Sequence, residues 1–210
     1  MARTKSSASW MSRHLSDPFV KQAQKDGYRS RSAYKLIELN EKDRLIRPGM
    51  RIMDLGSAPG GWSQVAGKLV GRKGRVLATD ILPMDALPNV DFIQGDFTDV
   101  AIVQQLLDWL EGGKFDLIIS DIAPNITGIT SADQASSIYF LELALDTVCK
   151  TLKPGATFAA KLFQGAGSDQ YIKELRKHFE KVLIRKPAAS RKESREVYLG
   201  AKGFKPPAAG

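Results

Sequence analysis

Three apolar runs in this sequence finish at a carboxylate: RVLATD at Asp80, VDFIQGD at Asp96 and FDLIISD at Asp121. A fourth run, RIMDLGSAPGGW, carries Asp54 and passes into a loop holding Gly56, Gly60 and Gly61 ahead of Trp62. Glycine lets a backbone turn tightly and approach a ligand that a Cβ would hold off. A carboxylate about twenty residues past such a loop can accept hydrogen bonds from the two hydroxyls of a ribose, and Asp80 stands at that distance. Asp96 is expected beside the base, within reach of an exocyclic amine. Any one of these aspartates could be a mere turn or helix cap, but three caps beside one glycine loop explain the pattern poorly. The spacing G-S-A-P-G-G matches neither GxGxxG nor GxxxxGK followed by Ser or Thr, so a pyrophosphate cradle is a poor fit.

A nucleoside ligand without a phosphate clamp suits this set, and S-adenosylmethionine answers that description. Trp62 is read two ways, as a contact for that ligand or as packing over the loop. Lys161 stands apart because it interrupts TFAAKLF, a run apolar enough to be buried on both faces, where an ammonium is costly unless paired or open to a site. The alternative is a lysine reaching out from the sheet edge. Lys35 and Glu196 are ordinary charges when taken singly, one on an amphipathic stretch and one at the start of a strand.

The elements that must position these residues follow from periodicity. Short apolar runs at 51–55, 75–79, 90–93, 115–120, 157–163, 181–184 and 197–201 read as strands. Helical spacing covers 32–42, with Ala33, Leu36 and Ile37 on one face and Ser32 as N-cap, and continues at 62–70, 100–110, 134–152 and 169–179. Such alternation gives a mostly parallel sheet between helices. The last two strands lie too close in sequence for a crossover, so they should pair as a hairpin and leave one antiparallel strand. In sheets of this kind ligands bind beyond the carboxyl ends of the strands, where strand order reverses.

The chain has 210 residues, 43% of them hydrophobic, which is enough for one domain with a full core. Its single cysteine, Cys149, is expected to be a buried inert thiol in a reducing compartment. The N-terminus lacks an apolar signal region and no run of about 18 apolar residues occurs, so neither secretion nor a membrane span is expected. His14 and His178 have no partners at metal-ligand spacing, and no metal site is expected.

Net charge is +8, yet residues 1–35 carry eight Lys or Arg against two Asp or Glu and residues 181–210 carry the same, leaving the middle at −4. Basic ends interleaved with serines and single aromatics, as in GYRSRSAYK and SRKESREVY, suit a nucleic-acid grip. Arg29 and Arg31 are expected to contact phosphates. Trp10, Phe19, Tyr28 and Tyr34 are read either as base-stacking platforms or as helix-packing anchors. Residues 1–30 are expected to form a basic, partly ordered arm, 31–203 the main domain, and 204–210 a disordered tail.

Taken together, DLGSAPGGWSQ, LPMD, FIQGDF, SDIAPN, KLFQG and SREVY resemble the FtsJ/RrmJ family of ribose 2′-O-methyltransferases. The likeness runs from RSRSAYKL to EVYLGA and is closest to the bacterial branch that acts on large-subunit ribosomal RNA. It implies a single-domain, Rossmann-like class I fold with a seven-stranded sheet, S-adenosylmethionine as cofactor, and cofactor contacts at Gly60, Trp62, Asp80, Asp96 and Asp121. It also implies a Lys-Asp-Lys-Glu tetrad at Lys35, Asp121, Lys161 and Glu196. The implied substrate is a uridine in the A-loop of 23S rRNA within the assembled 50S subunit, modified by a cytoplasmic monomer. In that reading Lys161 removes the hydroxyl proton, Asp121 and Glu196 orient it, and Lys35 holds substrate. The alternative is a charged Lys161 that only positions the hydroxyl. Relatives acting on transfer RNA or on the messenger-RNA cap, a non-catalytic ribosome-assembly factor and a dinucleotide-dependent oxidoreductase are the competing readings.

Overall fold

The computed structural model describes residues 17–123 and 130–207, the side chains of 130 and 131 excepted. Two helices come first, α1 (Pro18–Asp26) and α2 (Ala33–Asp43). They are followed by β1 (Arg51–Leu55), α3 (Gly61–Val70), β2 (Arg75–Asp80), β3 (Val90–Gln94), α4 (Val100–Leu110), β4 (Phe115–Ser120) and α5 (Thr130–Thr151). The chain closes with β5 (Leu152–Phe163), α6 (Ser168–His178), β6 (Phe179–Arg185) and β7 (Glu196–Phe204). The strands form one seven-stranded sheet in the order β3-β2-β1-β4-β5-β7-β6. All neighbours are parallel except β7, which runs antiparallel to both β5 and β6. The expected α/β class and single antiparallel strand are therefore present. Strand order reverses between β1 and β4, so the loops leaving those two strands open a crevice between them.

Alternation along each strand sends side chains to two separate cores. On one face Leu36 and Leu39 of α2 and Trp62, Val65 and Val70 of α3 pack over Ile52, Leu117, Ile119 and Tyr198. On the other, α4, α5 and α6 contribute Leu106, Leu145, Val148 and Leu175 over Met53, Leu77, Ile118 and Phe158. Among the described residues no helix is long and apolar enough to cross a membrane.

Four local features differ from the sequence expectation. Helix α1 was read as arm, yet Asp17 caps it by accepting from Phe19 N at 3.0 Å, Pro18 occupies its first turn and Gly27 ends it with φ +72°. Ser32 precedes α2 but makes no cap bond; its hydroxyl pairs with Ser30 Oγ at 2.7 Å instead. Strand β5 begins five residues earlier than expected, before Pro154 and Gly155, because the register with β4 shifts between Phe115 and Leu117 and Gly155 takes φ +76° there. At the far end β7 runs to Phe204, which is buried, one residue beyond the boundary expected at 203.

Candidate active site

The glycine loop turns back over the sheet because Gly56 N and Ser57 N both donate to Thr79 O, at 2.9 and 3.1 Å. Gly56 has φ +69°, and a Cβ there would come within 2.0 Å of Ile122, so loops leaving β1 and β4 touch only because residue 56 is glycine. Asp80 ties two loops together: its Oδ2 accepts from Ala58 N and its Oδ1 from Leu82 N, each at 2.9 Å. Asp96 accepts from the backbone N and the hydroxyl of Thr98, at 2.9 and 2.8 Å. Asp80, Asp96 and Asp121 line one hollow of about 400 Å³, together with Ile81, Leu82 and Phe140. A recess of about 40 Å³ shares Gly56, Ala58 and Asp121 with it and extends to Asp54, Ser32 and Trp62. Among the described residues neither hollow has a lysine or arginine in its lining. The sequence thus placed three aspartates correctly along one edge, and the fold adds a fourth.

Asp54 is that addition. Its Oδ2 accepts from Ser63 Oγ at 2.6 Å, while Oδ1 is buried without a partner among the described residues. Burial pushes its carboxyl up to about 7, and the neighbouring charges of Asp121 and Asp80 push the same way against the Ser63 hydrogen bond. An acceptor left open in a recess lined by a second carboxylate suits a cationic or hydrogen-bond-donating ligand group and repels a phosphate.

Beyond the recess the tetrad assembles as two linked pairs. Lys161 Nζ donates to Asp121 O at 2.6 Å and lies 3.0 Å from Asp121 Oδ1. Lys35 Nζ lies 2.8 Å from Glu196 Oε1. Lys161 is only 7% exposed and Lys35 and Glu196 only 8%, and with Asp121 the set pairs two basic side chains with two acidic ones. The antiparallel register explains the meeting: Lys161 lies opposite Tyr198 and Phe163 opposite Glu196, which puts all four on one face of the sheet. Helix α2 is fastened across that face by the Asp43 carboxylate to Arg185, at 2.8 and 3.0 Å, and by Ala188 N donating to Glu38 Oε2 at 2.6 Å. Lys35 is delivered to Glu196 by that seam.

Tyr198 was not singled out from the sequence. Its hydroxyl donates to Asp121 Oδ1 at 2.6 Å, and its ring lies 5.5 Å from Lys35 Nζ and 5.6 Å from the Trp62 ring. Burial raises the Asp121 carboxyl, but Lys161, Lys35 and the Tyr198 hydrogen bond outweigh it and hold the group below the usual carboxylate range. The signal was available: Tyr198 stands two residues after Glu196, hence on the same face of a strand.

Other sequence candidates fall elsewhere. Trp62 is 2% exposed and donates from Nε1 to Ser32 O at 2.9 Å, so it packs under the start of α2 while one edge reaches the recess. Gly60 has φ +105°, and a Cβ there would meet the Arg29 guanidinium and Met84 Sδ, each at 2.9 Å, so its missing side chain makes room for protein. Phe19 and Tyr28 each pack against Tyr34, with ring centroids 5.7 and 5.6 Å away, and Lys68 lies over Tyr28, which makes them packing anchors. Arg31 contacts the Asp17 carboxylate and Ala189 O, and Arg29 three backbone carbonyls, so neither guanidinium is presented freely to a phosphate. Cys149 is half-buried, and burial raises its thiol. Among the described residues no cluster of metal-ligating side chains occurs. Trp10, His14 and Asn125 of the SDIAPN motif lie outside the described residues.

The FtsJ-like methyltransferase model matches residues 28–204, which spans the glycine loop, the row of aspartates and the tetrad. The chain belongs to the FtsJ-like methyltransferase family. Among its relatives is the ribosomal RNA large subunit methyltransferase E of Stutzerimonas stutzeri, 68% identical over 98% of this chain and 100% of that protein. The protein of the same name from Pseudomonas aeruginosa PAO1 is 54% identical over 98% of this chain and 99% of its own. The crystal structure of a ribosomal RNA methyltransferase from Plasmodium falciparum superposes with a TM-score of 0.76 at 30% identity, covering 84% of this chain and 98% of that one. This FtsJ-like chain therefore shares the fold of that solved structure and pairs Lys161 with Asp121 and Lys35 with Glu196 against its sheet.

Proposed function

We propose that the protein transfers a methyl group from S-adenosylmethionine to the ribose 2′-hydroxyl of a uridine in the A-loop of 23S rRNA, as a cytoplasmic monomer acting on the assembled 50S subunit. The observation that carries this reading is Lys161, buried in the sheet and held by Asp121, beside a cleft lined by Asp54, Asp80, Asp96 and Asp121 and, among the described residues, by no basic side chain. The names of the relatives support ribosomal RNA as the substrate.

S-adenosylmethionine, when bound, supplies an electrophilic methyl carbon on a cationic sulfur. The four aspartates would suit it: Asp80 would take the ribose hydroxyls, Asp96 the adenine amine, and Asp54 and Asp121 the ammonium of the amino-acid end, with Trp62 shaping the wall. A ribose hydroxyl is a weak nucleophile until its proton is removed or its oxygen is held in line. Lys161 Nζ, in its neutral amine form, would accept that proton as the oxygen takes the methyl group, for which the bound cofactor would supply the sulfonium leaving group. Asp121 and Tyr198 fix where Nζ points, and Glu196 holds Lys35 against the substrate backbone. The arm, α1 included, and the basic β6–β7 loop grip the RNA on either side of the tetrad.

Labelled methyl transfer to undermethylated 50S subunits, free 23S rRNA and transfer RNA in parallel, followed by nuclease digestion, tests the proposal. Label recovered as 2′-O-methyluridine from the 50S sample is the expected result. Label in transfer RNA alone overturns the substrate and keeps the chemistry. Cofactor binding with no label in any RNA moves the reading to a non-catalytic assembly factor.

A further inference from the structure

Arg29 lies outside the tetrad and the row of aspartates, yet its guanidinium reaches two loops at once. Nη1 donates to Pro59 O at 3.3 Å and to Asp85 O at 2.8 Å, and Nη2 donates to Ala86 O at 2.9 Å. Its own backbone N donates to Gln64 Oε1 at 3.0 Å, and Gln64 Nε2 returns a bond to Gly27 O at 2.7 Å, which fastens the arm to α3. Gly60 and Gly61 leave the space this needs, since a Cβ on Gly61 would come within 2.1 Å of Ser30 Oγ and one on Gly60 within 2.9 Å of Arg29 Nη1.

The segment so held is the one that leaves Asp80. Ile81 and Leu82 are 65% and 59% exposed and line the cleft, and the chain returns to the sheet at Val90. Asp80 and Gln94 hold its first two residues, through Leu82 N at 2.9 Å and Ile81 O at 3.1 Å. The hydrogen bonds that reach residues 83–86 among the described residues come from Arg29. A short loop with so few ties samples many conformations unless something fixes it.

We infer that Arg29 is a positioning residue for the nucleoside half of the cleft, a latch that sets the loop after β2 against the glycine loop. This rests on the cofactor reading above. The planar fork of a guanidinium spans carbonyls from both loops, which the compact ammonium of lysine cannot do. The latch also places cofactor geometry under the control of a segment only six residues before Lys35, so the arm serves both substrates.

The test uses the full-length protein with Arg29→Lys and Arg29→Ala. Four quantities are measured: S-adenosylmethionine affinity by calorimetry, kcat at saturating cofactor, amide exchange across 82–88, and the slope of log RNA affinity against log salt. The latch predicts that both variants bind cofactor about tenfold more weakly, exchange faster at 82–88, and keep kcat within about twofold and the salt slope unchanged. A phosphate contact predicts the reverse: Lys behaves as wild type, and Ala lowers the slope by about one with cofactor affinity intact. That pattern overturns the latch, as does unchanged exchange at 82–88 in Arg29→Ala. Should the wild-type protein fail to bind S-adenosylmethionine, the cofactor reading falls, and faster or unchanged exchange at 82–88 still decides whether Arg29 holds the loop.

Discussion

Asp80 and Asp96 stand at the rim of the cleft, with oxygens held largely by backbone N–H groups of the loops beside them, whereas Asp121 sits deeper and is held by side chains from two other strands. The rim is a local construction. Each carboxylate bonds to residues two positions on, or to the neighbouring glycine loop, and keeps lone pairs for a ligand. The floor is a long-range construction, in which Lys35 meets a partner 161 positions away and Lys161 one 40 positions away. Buried charges of this kind stay in place only when every partner arrives, because an unpaired ion in the interior is strongly destabilising. The rim therefore suits binding that must be reversible, and the floor suits chemistry that must be fixed in place.

Three substitutions separate the two ends, in order of expected effect. At the floor, Lys161→Arg keeps a cation but removes a base, and kcat should fall about a thousandfold with cofactor affinity near wild type. Turnover near wild type across a pH–rate profile would remove Lys161 from the proton-transfer role. At the rim, Asp80→Ala should weaken S-adenosylmethionine binding about thirtyfold, by loss of hydrogen bonds from both ribose hydroxyls, while kcat at saturating cofactor changes little. An equal loss of kcat and affinity would merge the rim with the floor.

Between them lies Asp54, whose signature is in stability. Its carboxyl is pushed up to about 7 by burial, so from about pH 4 to 7 the unfolded chain has lost a proton that the folded chain keeps. Stability contributed by this group therefore falls as pH rises through that window. Asp121 acts oppositely: held below the usual carboxylate range, it stabilises above that range and loses the contribution as pH falls through its folded value. Asp54→Asn should remove a slope of up to about 1 kcal/mol per pH unit between pH 4 and 7, read as urea midpoints over that range. Parallel curves for the variant and the wild type would mean that Asp54 does not hold its proton.

The rim was legible because its logic is local. A strand, a glycine loop and an aspartate recur within short stretches, and short apolar runs locate every strand to within a few residues except the start of β5, which lies five residues earlier across a register shift with β4. Helix α1 is legible too, since Asp17, Pro18 and Gly27 are a start and a stop within the stretch whose basic charge suits an RNA-binding arm. Charge alone misled at Arg29 and Arg31, because an arginine beside a serine-rich turn looks the same whether it faces phosphates or backbone carbonyls.

What the sequence determined by itself was the alternation of strands and helices, the row of carboxylates at their ends and, through its combined motifs, membership of the FtsJ-like family. What only the tertiary structure decided was which charges meet. The antiparallel insertion of β7 between β5 and β6 sets Tyr198 against Lys161, and the Asp43–Arg185 seam lowers Lys35 onto Glu196. The physical reason is range: helix and strand periods act over a few residues, while the pairing of buried ions depends on sheet register and helix docking between segments far apart in the chain.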